Sequence, residues 1–150
     1  MTGAITALGD TLFPAESLVE GITQDFSDTA HYLVRLRVWH PVVAFLIGFY
    51  WVFVAGFLAL IHGEPRYRLS EDPVIRNRSR FLRMLSLSLI GFVLIQWIAG
   101  LINIWLLAPV WMQIVHLLIA VTIWIMVVVI SIILLEQPLF DESVTKSDPE

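Results

Sequence analysis

The 150-residue chain has no cysteine. A disulfide, a thiolate metal site and a cysteine-held iron–sulfur cluster are therefore excluded. Charge is the second scarcity. Charged residues make up 15% of the chain against 58% hydrophobic, and mean hydropathy is +0.82. A soluble domain of this size needs far more charge to cover its surface. The charges are also missing in blocks: Pro41 to Ile61 holds no Asp, Glu, Lys or Arg over 21 residues, and Met84 to Leu135 holds none over 52. A secretory leader is absent from residues 1 to 14, which lack a basic start and a long apolar core. These absences argue against a soluble globular domain, a nucleic-acid binder and a disordered chain. They leave an all-α integral membrane helical bundle.

A helix needs about 20 apolar residues to cross the hydrocarbon core. The 21-residue run supplies one crossing. The 52-residue run fits two, with Pro109 in "LLAPVW" as the break, because proline lacks an N–H and pushes Ala108 out of helical geometry. The chain is therefore expected to divide into an extracytoplasmic amphipathic segment (residues 1–32), three transmembrane helices (33–61, 82–107 and 109–135), an Arg-rich cytoplasmic loop (62–81) and a polar cytoplasmic tail (136–150). Three spans put the two termini on opposite sides. Arg66, Arg68, Arg76, Arg78, Arg80 and Arg83 are six of the nine basic residues and fall between His62 and the start of the second span, Arg83 being its second residue. By the positive-inside rule that stretch faces the cytoplasm, in a bacterial or archaeal plasma membrane, with the N-terminus outside. Its partner there is the lipid bilayer; no nucleic acid is needed to account for it.

Ahead of the first span, Leu18, Val19, Ile22 and Phe26 recur at helical spacing with acids between them, the pattern of an amphipathic helix on the outer membrane surface. Gly3, Gly9 and Pro14 read as punctuation, and Ser27 or Asp28 as the cap of the next helix. Pro41 frees the carbonyl of Arg37 and predicts a kink. In the second span Ser88, Gln96, Ala99, Gly100 and Asn103 share one arc, a face suited to helix packing or to a cofactor. Trp39, Trp105 and Trp111 fall at the outer boundary, where aromatic belts form.

Two histidines lie in the spans, His40 in "RVWHPVVA" and His116 in "MQIVHLLIA". Ionisable residues at membrane depth are functional candidates by default. Both belong to helices that run in the same direction, and both are expected in the outer half. Two neutral imidazoles facing each other across a gap are what a low-spin haem iron takes as axial ligands; the competing role is interhelical hydrogen bonding. Zinc would need a third or fourth ligand, and the spans offer no carboxylate or further histidine. Ala44 and Ala120 each follow a histidine by four residues and leave room for a flat ring, with Gly48 extending that clearance. Arg37, three residues before His40, is placed to pair with a haem propionate; Arg35 points the other way. His31 and His62 are read as interfacial.

The strings "GAITALGDTLFPAESL", "RLRVWHP" and "GLINIWLLAPVWMQIVHLLIA" occur in the order of the haem A synthase family, and the chain resembles its C-terminal half without the first helix of that half. The resemblance covers most of residues 3 to 125. It implies a haem b held by His40 and His116, in support of the oxidation of haem O to haem A for cytochrome oxidase. It also implies an oxidoreductase assembled with an N-terminal half or a second copy of the chain, beside haem O synthase and other assembly factors. The family's catalytic half carries a glutamate shortly before its first histidine. Arg35 to Trp39 contains no acid, so no catalytic residue is assigned. The alternatives are a small bis-histidine b-type cytochrome subunit and a haem-free assembly protein.

Overall fold

The computed structural model describes residues 2–27, 29 and 31–136. Its elements are all helical: α1 (Thr2–Leu12), α2 (Leu18–Asp25), α3 (Tyr32–Arg37), α4 (Trp39–Ile61), α5 (Pro65–Arg68), α6 (Pro73–Trp105) and α7 (Val110–Leu135). Three stretches are long and apolar enough to cross a membrane: Tyr32–Ile61, Pro73–Trp105 and Val110–Leu135. At about 1.5 Å per residue each exceeds the roughly 30 Å hydrocarbon core. The chain is an integral membrane helical bundle, as expected.

α6 is central. Phe45 and Gly48 of α4 meet Trp97, and Gly63, just past the end of α4, lies by Arg83. α4 and α6 are therefore antiparallel. Gly100 of α6 meets His116 of α7, while Arg78 near the start of α6 donates to the carbonyl of Ile133 near the end of α7. That pair is also antiparallel, so α4 and α7 run the same way on either side of α6. The arginine supplies a cation to the free carbonyls of a helix C-terminus, where the macrodipole favours one. The apolar core, built from Ala55, Leu89, Val93, Met126, Val127 and Ile130, fills the half of the bundle nearer the arginines. Small residues let α4 approach: Ala55 is fully buried and Ala59 nearly so.

Several boundaries differ from expectation. α6 begins nine residues before the expected start and absorbs Arg76, Arg78 and Arg80. Asp72 caps it by accepting from the Val74 N–H at 2.8 Å, and Pro73 takes the first helical position, where its missing N–H is harmless. "EDP" was thus a start signal that the charge pattern hid. The break near Pro41 falls at Val38, directly after Arg37, whose carbonyl the proline leaves without its helical partner. Asp28 lies outside the described residues. Ser27 instead makes a local turn with Thr29, and α3 starts at His31, whose Nδ1 accepts from the Leu33 N–H at 3.3 Å. The amphipathic helix forms as α2, capped by Ser17 and with Val19, Ile22 and Phe26 exposed. α1 was not expected at all. It runs antiparallel along α3 into the start of α4, with Gly9 against the Leu33 carbonyl and Gly3 against His40. Both glycines are sites of close approach inside a helix, where the sequence suggested turns. The polar tail beyond Glu136 lies outside the described residues.

The α6–α7 turn is closed by a six-to-one bond from the Ala108 N–H to the Asn103 carbonyl (2.7 Å) and one from the Leu107 N–H to the Ile104 carbonyl (3.1 Å). This is the helix-ending pattern that usually uses glycine. Here Leu107 and Ala108 take φ of 58° and 54°. Gln113 Nε2 holds the turn by donating to the Ala108 carbonyl at 2.6 Å. A left-handed L-residue costs roughly 1–2 kcal/mol, and Leu107 is 43% exposed, so little packing offsets that cost. Leu107→Gly is expected to stabilise the protein by about 1 kcal/mol, read as a higher unfolding midpoint in detergent. A lower midpoint would show that the leucine side chain matters more than the strain.

Candidate functional site

The two span histidines lie at the end of the bundle away from the arginines. His40 is the second residue of α4, and His116 the seventh of α7. Trp97 faces Gly48, and eight residues back towards the start of α4 brings His40 level with the last turn of α6. His116 packs directly on Gly100. His40 therefore stands nearer the open end, by about one to two turns, where matched depth was expected. The break at Val38 and Pro41 reshapes this end of α4.

Glycine seats each ring. A Cβ on Gly3 of α1 would stand 3.3 Å from His40 Cε1, and a Cβ on Gly100 of α6 would stand 3.3 Å from His116 Cε1. The side-chain amide of Gln96, one turn from Gly100, meets His116 Nε2 at 3.0 Å. His116 Nδ1, Gln96 Oε1 and Asn103 Oδ1 are buried without a hydrogen-bond partner. Three orphaned polar atoms on facing surfaces of α6 and α7 are costly inside a membrane span. They mark this end as built for something other than apolar packing.

The other expected residues fall as follows. Ala44 and Ala120 are half-buried, each one turn inward from its histidine. Gly48 does not extend a clearance for a ring ligand. A Cβ there would stand 2.6 Å from Trp97 Nε1, so the indole, stacked on Phe45 with ring centroids 4.9 Å apart, already fills the space. The side chains of Arg35 and Arg37 lie outside the described residues. Of the small and amide arc on α6, Gln96, Ala99, Gly100 and Asn103 turn inward, while Ser88 is exposed and the buried serines are Ser79 and Ser86. His62 is buried, with Nδ1 2.9 Å from the Leu58 carbonyl and its ring stacked on Tyr67. His31 stacks on Phe13. Trp39, Trp105 and Trp111 are exposed together at the histidine end, as an aromatic belt requires. Among the described residues no group of three or more His, Cys, Asp or Glu could hold a metal ion. The residue the sequence reading undervalued is Gln96. Its signal was an amide on the small-residue face of a span, which packing alone seemed to explain. Gly3 gave no signal, since its role depends on α1 folding back on α4.

Fold and site together define a polytopic α-helical membrane protein with two histidines in its spans. The family model of a cytochrome oxidase assembly protein matches residues 1–128, and the chain belongs to that family. Two curated relatives come from two strains of Thermus thermophilus, 43% and 42% identical over 91% of this chain. Both are named protoheme IX farnesyltransferase, and the chain spans 20% of their length. No solved structure matches. The relatives' name overturns the expected oxidation of haem O to haem A. These relatives are named for moving a prenyl group, where an oxidoreductase was expected. The sequence agrees to the extent that no carboxylate stands in Arg35 to Trp39.

The tight seat of Trp97 gives a direct test of the packing under the site. Gly48→Ala is expected to destabilise by about 1–3 kcal/mol, because its methyl must displace the indole. Gly56→Ala, whose methyl meets open space, is expected to stay within about 0.5 kcal/mol of wild type or gain slightly from helix propensity. Equal effects in chemical denaturation would show that Trp97 is free to move.

Proposed function

We propose that this chain is a haem-holding membrane module of cytochrome oxidase haem biogenesis, with His40 and His116 as the axial ligands of a haem b. The observation that carries the reading is the pair of imidazoles on parallel helices, at an end of the bundle that buries further unpartnered polar atoms. Two neutral imidazoles suit low-spin haem iron, and His116 would have to give up the Gln96 amide at Nε2 to serve as one of them. Ala44 and Ala120 would flank the macrocycle, and Arg37 would face a propionate at the membrane surface. A bound haem would supply an iron centre, which His40 and His116 would hold. The chain's own part is to orient that macrocycle, to exclude water from its apolar faces, and to hold each ring on a glycine. The name of the relatives, a farnesyltransferase of protoheme IX, supports a role next to haem. In this reading the segment holds the tetrapyrrole while the transfer chemistry belongs to other parts of proteins like those relatives.

The same proposal orients the chain. The arginines of α5 and the first third of α6 gather at the end opposite the histidines. With that end cytoplasmic, the site opens to the outer half of the bilayer.

Purified protein reconstituted with haem is expected to show a low-spin bis-histidine spectrum, lost in His40→Ala and in His116→Ala. An unchanged spectrum in either variant would remove that histidine from the ligand set. Because the chain has no cysteine, single replacements report topology cleanly. Thr11→Cys is expected to react with a membrane-impermeant maleimide in intact cells, and Ser70→Cys only after permeabilisation. The reverse pattern would invert the orientation.

A further inference from the structure

We infer that the outer groove between α4 and α6 holds one anionic phospholipid, with its phosphate on Arg83 and Arg80 and an acyl chain in a notch at Gly56. This groove lies at the end of the bundle opposite the histidines, so the site is independent of the haem-holding reading. α6 carries Arg76, Arg80 and Arg83 at i, i+4 and i+7, and the three share one stripe of the helix. The stripe is on the side of α6 that meets α4. Arg83 Nε would stand 3.4 Å from a Cβ on Gly63, just past the end of α4. Arg78 points elsewhere, to the end of α7. Arg76 donates to the Ser70 carbonyl at 2.9 Å, and Arg66 is paired with Glu64 at 2.7 Å. Arg80 and Arg83 are exposed and have no ion pair among the described residues. Two guanidinium groups are therefore open to a phosphate from outside the chain.

The apolar part of the groove lies deeper in the span. Val52, Phe53, Gly56, Phe57 and Leu60 of α4 line a cavity of about 270 Å³. Phe53, Phe57 and Leu60 are exposed, so the cavity opens to the bilayer. Gly56 forms its floor, since a Cβ there would meet nothing within 4 Å. Unlike Gly48 and Gly100, this glycine seats no neighbour from the protein, although glycine weakens a helix relative to alanine. Gly56, Leu60 and Gly63 follow at i, i+4 and i+7, and the Gly63 N–H donates to the Leu60 carbonyl, so the turn stays in line with the helix. Notch and Arg83 thus lie on one flank of α4, about 10 Å apart along its axis. The headgroup layer is about 5–8 Å thick on each side of the hydrocarbon. A phosphate held at Arg83 therefore sends its acyl chain down past Gly56. A second copy of the chain is the other candidate to cover the notch. Inserted the same way up, it would bring its own arginines level with these, and like charges repel. An anionic headgroup meets the stripe with the opposite sign.

The test is native mass spectrometry of the full chain in detergent, titrated with phosphatidylglycerol or with phosphatidylcholine of the same acyl chains. Wild type is expected to hold one phosphatidylglycerol at least about fivefold more tightly than phosphatidylcholine, the effect of one basic residue beside an anionic headgroup. Arg83→Gln is expected to weaken phosphatidylglycerol about fivefold, and adding Arg80→Gln by about as much again. Arg66→Gln, whose charge Glu64 already meets, should leave the affinity unchanged. Gly56→Leu fills the notch and should weaken both lipids alike, with helicity and unfolding midpoint near wild type; it tests the same site if Arg83→Gln folds poorly. Equal binding of the two lipids, or equal losses in Arg66→Gln and Arg83→Gln, would reduce the site to general surface charge and overturn the assignment. Release of the lipid by millimolar inorganic phosphate, with no effect of Gly56→Leu, would make it a free-anion site. A lipid-free dimer that Gly56→Leu separates would give the groove to a second copy.

Discussion

The close approach of two helices to α6, each through a glycine, is the constraint on which the rest of this bundle depends. Gly48 admits the Trp97 indole to α4, and Gly100 admits the His116 imidazole to α6. In lipid, helices gain little from hiding apolar surface from one another, because the tails are equally apolar. Association rests on close packing and on hydrogen bonds between helices. Gly48 provides the first and Gly100 makes the second possible, since without it His116 could not reach Gln96. One contact binds α4 and α6 below the site, and the other forms its wall.

The two ends of the bundle are specialised accordingly. Towards the arginines the packing is apolar and dense, around Leu82, Leu89 and Val93, and Arg78 closes the end of α7. Towards the histidines it becomes sparse and polar, with unpartnered atoms on Gln96, Asn103 and His116. A protein that needed only to cross a membrane would have no use for that gradient. α1 adds to it by folding Gly3 onto His40, so each histidine has a neighbour from a different helix that restricts its ring.

The membership of the cytochrome oxidase assembly family and the name of the Thermus relatives pull the functional reading in one direction and limit it in another. The family is described by cytochrome oxidase assembly, and the relatives are named for farnesyl transfer to protoheme IX. The oxidation inferred from resemblance does not survive, because the relatives are named for prenyl transfer and the first span offers no carboxylate beside His40. A histidine pair is neutral on this question. Histidine pairs occur in membrane enzymes that oxidise, in ones that alkylate and in proteins that only carry, so the pair does not choose a reaction.

Much of the fold was legible in the chain. Two charge-free runs and Pro109 determined three spans, because an uncompensated charge in hydrocarbon is costly and a proline cannot continue a helix. The same logic picked out His40 and His116 as the histidines the spans retain. Element starts governed by capping were harder, since Asp72 and His31 act through single hydrogen bonds that composition does not register. What only the tertiary structure decided was which small residues serve which neighbour. Gly48 was open to a ligand by sequence and is filled by Trp97. Gly3 read as punctuation and supports His40. Gln96 read as packing and holds His116. Periodicity assigns a residue to a face of its own helix, but the rotation and depth of the neighbouring helix, which settle what that face meets, are set by all the contacts at once.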